Sequence, residues 1–122
     1  FQNALSGKLD LPSGKTQADV DFVVESYHGE DGNWYRKYKS GWVEQGGITD
    51  IVPATQSVTT ITLFKPFAST VYGIVAANNP ASINWATHAD LQITAKTTTS
   101  FGVSANVSNN NRINWYACGQ GE

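Results

Sequence analysis

The sequence has no methionine and a single cysteine, Cys118, in 122 residues. One cysteine excludes an internal disulfide framework and a zinc site built from several thiolates. The chain begins at Phe1, so we expect a processed chain or a piece cut from a longer protein. Its length is that of one domain with a single core.

Charge is also scarce: 15% of residues are charged, with 8 basic against 10 acidic and a net charge of -2. Nucleic-acid-binding proteins normally carry a basic stripe, and membrane-surface proteins often carry a cluster of Lys and Arg. The apolar run from Ile74 to Ala77 is far shorter than the ~20 residues of a spanning helix. We therefore expect a soluble protein with no nucleic-acid partner and no membrane insertion.

The chain is instead rich in Thr, Ser, Asn and Gly, and it has 4 Trp, 5 Tyr and 5 Phe. Good helix formers are few, whereas Val, Ile and aromatic residues favour pleated surfaces. Short alternating stretches separated by turn residues indicate about seven to eight strands. This pattern predicts an all-β fold, an antiparallel β-sandwich, with an open barrel as the alternative.

Particular strands follow from the alternation of apolar and polar residues. Val20, Phe22 and Val24 predict a half-buried strand. The stretch from Thr70 to Ala77 is apolar on both faces, as expected of a central strand. In each of the last two predicted strands, the apolar residues fall on one face. They are Phe101, Val103, Ala105 and Val107 in the first of these strands, and Ile113, Trp115 and Ala117 in the last.

A hairpin is predicted around Lys39-Ser40-Gly41, where Gly can take a left-handed conformation. Its strands would be Trp34 to Tyr38 and Trp42 to Gln45, and Gly46-Gly47 would close the unit. Residues 1–18 show no period and are treated as an N-terminal arm or shaft remnant, with the sandwich over 19–122. The arm is either a flexible leader or a segment that orders against a neighbouring subunit through Leu5, Leu9 and Leu11.

Catalytic chemistry has little support in the sequence. A G-x-S-x-G nucleophile elbow is absent, and Cys118 lies among apolar strand residues, which favours a buried inert thiol. The two histidines, His28 and His88, lack a partner at metal-ligand spacing. Carboxylates are present, but sequence does not pair them across a cleft. We expect no enzyme activity, no cofactor and no metal.

Binding chemistry is better supplied. Aromatic rings stack on the C–H faces of sugars, while Asn, Gln and Arg bond their hydroxyls. Trp85 follows a turn containing proline, and a run of Asn leads into Arg112. The competing interpretations are a plain polar turn for the Asn run and a core position for Trp85. The candidate receptor-binding residues are Asn78, Asn79, Trp85, His88, Asn109, Asn110, Asn111 and Arg112.

The block from Trp34 to Gly47 reads W-Y-R, then a turn ending in G-W, two residues, and Q-G-G. It resembles the C-terminal domain of bacteriophage tail-fibre proteins, found also in phage-tail-like bacteriocin fibres. Weaker blocks follow in the same order, at Val58 to Phe67, Thr97 to Val103 and Asn114 to Gly119, so the likeness spans about Asn33 to Gly119. The motif residues, interpreted as scaffold, are Trp34, Arg36, Gly41, Trp42, Gln45, Gly46, Gly47 and Trp115.

The resemblance implies a homotrimeric, non-enzymatic tip at the distal end of the virion's tail fibre. Such a tip attaches a phage to its host by binding a bacterial surface glycan, such as lipopolysaccharide, or an outer-membrane protein. Variable loops would make the contact, so no particular contact is carried over. Cys118 departs from the family pattern, where a small or apolar residue is more typical. A polysaccharide-degrading tailspike domain and a carbohydrate-binding module of a cellular enzyme remain as alternatives.

Overall fold

The computed structural model describes residues 13–14, 16, 20–51, 58–78, 91–105 and 111–122. The proposed boundary between an arm and a sandwich at residue 18 lies outside these residues. Within them, no helix is long and apolar enough to span a membrane. The strands are β1 Val23–His28, β2 Trp34–Tyr38, β3 Trp42–Ile51, β4 Val58–Thr62, β5 Gly73–Asn78, β6 Leu91–Thr94, β7 Ser100–Ala105 and β8 Asn111–Gln120.

These strands form two antiparallel sheets, which confirms the predicted all-β sandwich. The larger sheet has the order β1-β2-β3-β8-β5, and the smaller sheet has the order β4-β7-β6. All pairs of neighbouring strands run antiparallel. Strands β3 and β8 have ten residues each, which makes them longer than the short strands expected. They pair with each other along their whole length.

The core lies between the two sheets. Along β8 the buried side chains alternate with exposed ones, as the period of two in a strand requires. The same alternation buries Phe101 and Val103 on β7, as predicted. The core residues are Val43, Ile61, Leu63, Phe67, Tyr72, Phe101, Val103, Ile113, Trp115 and Ala117.

The predicted hairpin is present, but its boundary was wrong. Gly41 has a φ of 90°, and its N–H donates to the Tyr38 carbonyl at 2.9 Å, which closes the turn. Gly46 and Gly47 do not end the unit, because β3 continues through them to Ile51. The continuation is stable because β8 provides a partner for each of the ten residues of β3.

The strand predicted from Val20, Phe22 and Val24 starts later and is not half-buried. It is β1, which begins at Val23 and whose six residues are all exposed. Among the described strands, β1 lies at the edge of the larger sheet and has β2 as its neighbour. Buried core residues of this sheet lie instead on β3 and β8, the next two strands in the sheet order. Alternation of apolar and polar residues alone therefore did not indicate burial of β1.

The apolar stretch from Thr70 to Ala77 was predicted to be central, and this was wrong. It contains β5, the opposite edge strand of the larger sheet, which pairs with β8. Ile74 and Ala76 pack against the core, while Val75 on the other face is 66% exposed. The apolar residues on this second face therefore lack a covering layer within the described part of the chain.

Strand connections divide the sandwich into two ends. At one end lie the β2–β3 turn around Gly41 and the bridge between Phe67 and Gly121. At the other end the chain leaves the described part after Ile51, Asn78 and Ala105, and it re-enters at Val58, Leu91 and Asn111. We call these the Gly41 end and the Asn78 end.

Candidate functional site

The motif residues form a scaffold along β2, β3 and β8. Trp34 on β2 is paired with Gly46 on β3, and Gly46 is paired in turn with Tyr116 on β8. A side chain on Gly46 would lie 3.0 Å from Trp34 Nε1 and 2.6 Å from the Trp115 carbonyl. The absence of a side chain lets the Trp34 ring approach the Tyr116 ring, with the two centroids 5.8 Å apart.

Arg36 and Trp34 lie on the same side of β2. The guanidinium carbon of Arg36 is 5.3 Å from the centre of the Trp34 ring, a cation–π geometry. An Arg36 nitrogen also lies 3.4 Å from Nε2 of His28 on β1. The W-Y-R sequence thus joins the first three strands on one face, because alternate residues of β2 point to the same side.

Gln45 is fully buried and connects β3 to the segment between β4 and β5. Its Oε1 accepts the backbone N–H groups of Phe64 at 2.8 Å and Lys65 at 3.1 Å. Its Nε2 donates to the Lys65 carbonyl at 2.8 Å. Three bonds from one buried amide satisfy backbone groups that β-pairing leaves unpaired. These bonds are consistent with a scaffold role for the glutamine of the motif, which stays a prediction.

Gly47 and Trp115 lie on the core face of neighbouring strands. Trp115 packs edge-on against Phe101, with centroids 5.4 Å apart, and stacks on Phe64 at 5.7 Å. The side-chain oxygen of Asn33 occupies the position where a side chain of Gly47 would lie. Trp115 is thus a core residue, although its Nε1 is a buried donor without a hydrogen-bond partner in the described structure.

Trp42 and Gly41 belong to the turn at the Gly41 end. The Asp21 carboxylate accepts the Ser40 N–H at 3.0 Å and the Ser40 hydroxyl at 2.7 Å, and these bonds lower the pKa of Asp21. The Gly121 N–H donates to the Gly41 carbonyl at 2.8 Å, which ties the chain's last residues to the turn. Trp42 is 39% exposed, so of the motif's tryptophans it is the least buried.

The candidate receptor-binding residues that the structure describes lie together at the Asn78 end. Asn78 is the last residue of β5 and pairs with Ile113, next to Arg112 on β8. Asn111, in the run of Asn that leads into Arg112, is the first residue of β8 and pairs with Ile51. The other candidates, Asn79, Trp85, His88, Asn109 and Asn110, lie outside the described residues.

Arg112 is the second residue of β8, in agreement with a last strand predicted to begin at Arg112, and it pairs with Asp50. Its Nε donates to Asp50 Oδ1 at 3.1 Å. Both side chains are more than half exposed, at 58% and 71%. An exposed pair of this kind contributes little to stability, and both groups stay accessible to a ligand.

One surface cluster was not expected from the sequence. Tyr27 and Tyr35 stack with centroids 5.9 Å apart, and the Lys65 ammonium lies 4.9 Å from the Tyr35 ring centre. Glu25 accepts from Lys65 at 2.6 Å and from the Tyr35 hydroxyl at 2.9 Å, and these bonds lower its pKa. The signal was the alternation of β1 and β2, whose paired register places Glu25, Tyr27 and Tyr35 on one side.

The described residues offer little for catalysis or metal binding. The described ranges hold no cluster of three or more His, Cys, Asp or Glu side chains able to bind a metal ion. Asp21 and Glu25 have lowered pKa values, the opposite of what a general acid requires. Cys118 is half-buried rather than buried, because it lies on the face of β8 that points away from the core.

Two solved R2 pyocin structures share this architecture. A P. aeruginosa R2 pyocin fibre comprising C-terminal residues 323–691 superposes with a TM-score of 0.63 at 19% identity, over 80% of this chain and 26% of that one. An N-truncated R2-type pyocin tail fibre also gives a TM-score of 0.63 at 19% identity, over 81% of this chain and 39% of that one. This chain thus spans less than half the length of each.

The likeness to the two pyocin structures confirms, at the level of the fold, the resemblance inferred from the W-Y-R…G-W-x-x-Q-G-G block. No protein-family model and no curated protein sequence matches the chain.

Proposed function

We propose that this chain, which has the fold of the R2 pyocin tail fibres, is a receptor-binding part of a tail fibre. In this role it attaches a phage or phage-like particle to a bacterium by binding a surface receptor, most simply a glycan such as lipopolysaccharide. Three such chains form the fibre tip. The chain acts by adhesion, without catalysis, at the distal end of the fibre, where it faces the host cell.

The observation that carries this proposal is the exposed pair of the candidate Arg112 with Asp50 at the Asn78 end. The candidate Asn78 ends the neighbouring strand β5 at the same end, paired with Ile113 and therefore on the opposite face of the sheet. Amide, carboxylate and guanidinium groups are the donors and acceptors that hold sugar hydroxyls. The motif residues lie elsewhere, in the core and along β2 and β3, which supports a division between scaffold and binding surface.

Adsorption of the fluorescently labelled chain to a panel of bacterial strains tests the proposal. We expect saturable binding to some strains and competition with the particle that carries the fibre. In a binding strain, Arg112→Ala should weaken adsorption by about tenfold, or ~1.4 kcal/mol. Lys39→Ala, which removes an exposed cation at the Gly41 end, is the matched control and should leave adsorption unchanged.

Failure to adsorb to any strain would contradict attachment. An equal loss in both variants would contradict the assignment of the Asn78 end. Incubation of the chain with polysaccharide from a binding strain, followed by a reducing-end assay, tests the absence of catalysis, because release of new ends would indicate a tailspike enzyme.

A further inference from the structure

The larger sheet has one face covered by the smaller sheet, and we call its opposite side the outer face. Strand register places successive cross-strand rows on this face. One row crosses the five strands from His28 through Trp34, Gly46 and Tyr116 to Val75. The next row toward the Asn78 end contains Ile48, Asn114 and Ala77.

Exposed apolar groups are concentrated in these two rows. Val75 is 66% exposed, Ile48 is 40% exposed and Tyr116 is 38% exposed. Burial raises the pKa of the Tyr116 hydroxyl, with the Glu44 carboxylate as the next cause. We call Trp34, Gly46, Tyr116, Val75, Ile48, Asn114 and Ala77 the neutral stripe, because none of them carries a charge.

Charges lie in the rows on either side of the neutral stripe, and in each row their signs balance. Toward the Gly41 end, Arg36 is paired across strands with Glu44. Toward the Asn78 end, Arg112 is paired with Asp50, with a bond of 3.1 Å. The outer face therefore has no net charge from these four residues.

We infer that the neutral stripe is the surface through which copies of this chain contact one another, an inference that rests on the proposed trimeric fibre. Close to a three-fold axis, equivalent residues of the three copies approach one another, and like charges placed there would repel. A stripe without charges, flanked by rows of balanced charge, meets this requirement for self-association. A sugar would instead require several converging polar groups. Among the stripe residues, polar side-chain atoms are limited to those of Asn114, Tyr116 and the Trp34 indole N–H.

The size of the face is adequate for this role. Its strands, with two of ten residues and three of five or six, cover on the order of 600 Å² at ~3.4 Å per residue and ~4.8 Å per strand. Two such faces would together bury on the order of 1,200 Å², the lower end of the range of stable interfaces. The stripe thus provides the apolar centre of a small interface, and the Arg36 and Glu44 row provides a polar rim, while the Arg112–Asp50 pair lies at its edge toward the Asn78 end.

Val75→Asp tests the inference, because Val75 is the most exposed of the stripe's large apolar residues. In an isolated chain the new carboxylate would stay in water, so the fold should persist. In an assembly it would be buried without a partner. Val58→Asp is the matched control, since Val58 is 50% exposed on β4 in the other sheet.

Sedimentation velocity and light scattering across a range of concentrations give the mass, and circular dichroism checks the fold. We expect a trimer for the wild type and Val58→Asp, and dissociation to a monomer for Val75→Asp with at least a hundredfold loss of association. A folded Val75→Asp variant that stays trimeric would overturn the inference, as would dissociation by Val58→Asp alone.

Three further outcomes separate this inference from the proposed function. A monomeric wild type that still adsorbs to cells overturns the interface and leaves attachment standing. A trimeric Val75→Asp variant that has lost adsorption identifies the stripe as a receptor surface and overturns the interface as well. A trimeric wild type that binds no cells leaves the interface supported and contradicts attachment.

Discussion

The indole ring of Trp34 lies across the backbone of Gly46, its cross-strand partner. The position of a Gly46 side chain would be 3.0 Å from Trp34 Nε1 and 3.1 Å from Cε2. The same Gly46 side-chain position would be 2.6 Å from the carbonyl oxygen of Trp115 on the adjacent strand, β8. The first tryptophan and the first of the paired glycines in the sequence motif are therefore one packing unit.

Gly46→Ala should destabilise the fold by about 1–3 kcal/mol, because overpacking at this position cannot be relieved by moving a flexible side chain. The nearest atom is a backbone carbonyl of β8. Chemical denaturation followed by tryptophan fluorescence measures the loss.

Gly73→Ala on β5 is the matched control, since the nearest atom to its new methyl group would be the Cys118 sulfur at 3.9 Å. We expect a change within about 0.5 kcal/mol. Equal losses at Gly46 and Gly73 would show that general glycine effects, rather than the Trp34 contact, account for the result.

Gln45→Leu should cost about 3 kcal/mol or more in unfolding free energy. The leucine has a similar size, but the backbone N–H groups of Phe64 and Lys65 and the Lys65 carbonyl would all lose their bonds to Gln45. Each buried unpaired group costs about 1–3 kcal/mol. The measurement is again the free energy of unfolding in urea.

Gln120→Leu provides the control for the glutamine change. Gln120 is exposed and donates one bond to the Ser40 carbonyl at 3.0 Å, so its loss should cost less than about 1 kcal/mol. If Gln45→Leu were no more costly than Gln120→Leu, the buried amide would not be what joins β3 to the segment after β4.

Local patterns predicted the hairpin and the core strands from the sequence. Phe101, Val103, Ile113 and Trp115 alternate with polar residues, and these strands are covered on one side. The edge strands were not predictable in the same way. Apolar residues such as Val24 and Val75 indicate a surface suited to burial, but they do not indicate whether this chain or another chain covers that surface.

The candidate site was predictable only as a composition of residue types. An Asn-rich stretch before a strand looks the same whether it forms a tip or enters the strand, and Asn111 and Arg112 enter β8. Their position beside Asp50 and near Asn78 depends on pairing between strands distant in sequence. In the cluster of Glu25, Tyr35 and Lys65, the alternation of β1 and β2 indicates the first two residues, but the contact with Lys65 depends on a segment distant in sequence.

Acid should destabilise the chain through Asp21 and Glu25. Bonds from Ser40 lower the pKa of Asp21 in the folded state, and Lys65 followed by Tyr35 lowers the pKa of Glu25. A carboxyl with a lowered folded-state pKa contributes stability above its unfolded value, roughly 4, and loses it as pH falls through the folded value. We expect the melting temperature to fall below about pH 4.

Thermal melts between pH 2.5 and 7 give the slope of this loss. Asp21→Asn removes one of the two titrating groups, so its melting temperature should be lower at pH 7 and should fall less steeply in acid. Asp31→Asn, at an exposed turn residue, is the comparison. An Asp21→Asn curve parallel to that of the wild type would show that the Ser40 bonds carry no pH-dependent stability.

Cys118 gives a chemical readout of the outer face. Its thiol is half-buried on the exposed side of β8, paired with Glu44 on one side and Gly73 on the other. The neutral stripe begins in the next row on the same face, at Tyr116. If copies of the chain meet at this stripe, assembly should slow alkylation of the Cys118 thiol by a bulky maleimide. The labelling rate is measured by mass spectrometry. We expect the rate in the Val75→Asp variant to be at least tenfold higher than in the wild type. Val58→Asp should label at the wild-type rate, and an equal rate in all three proteins would place the contact between copies away from this face.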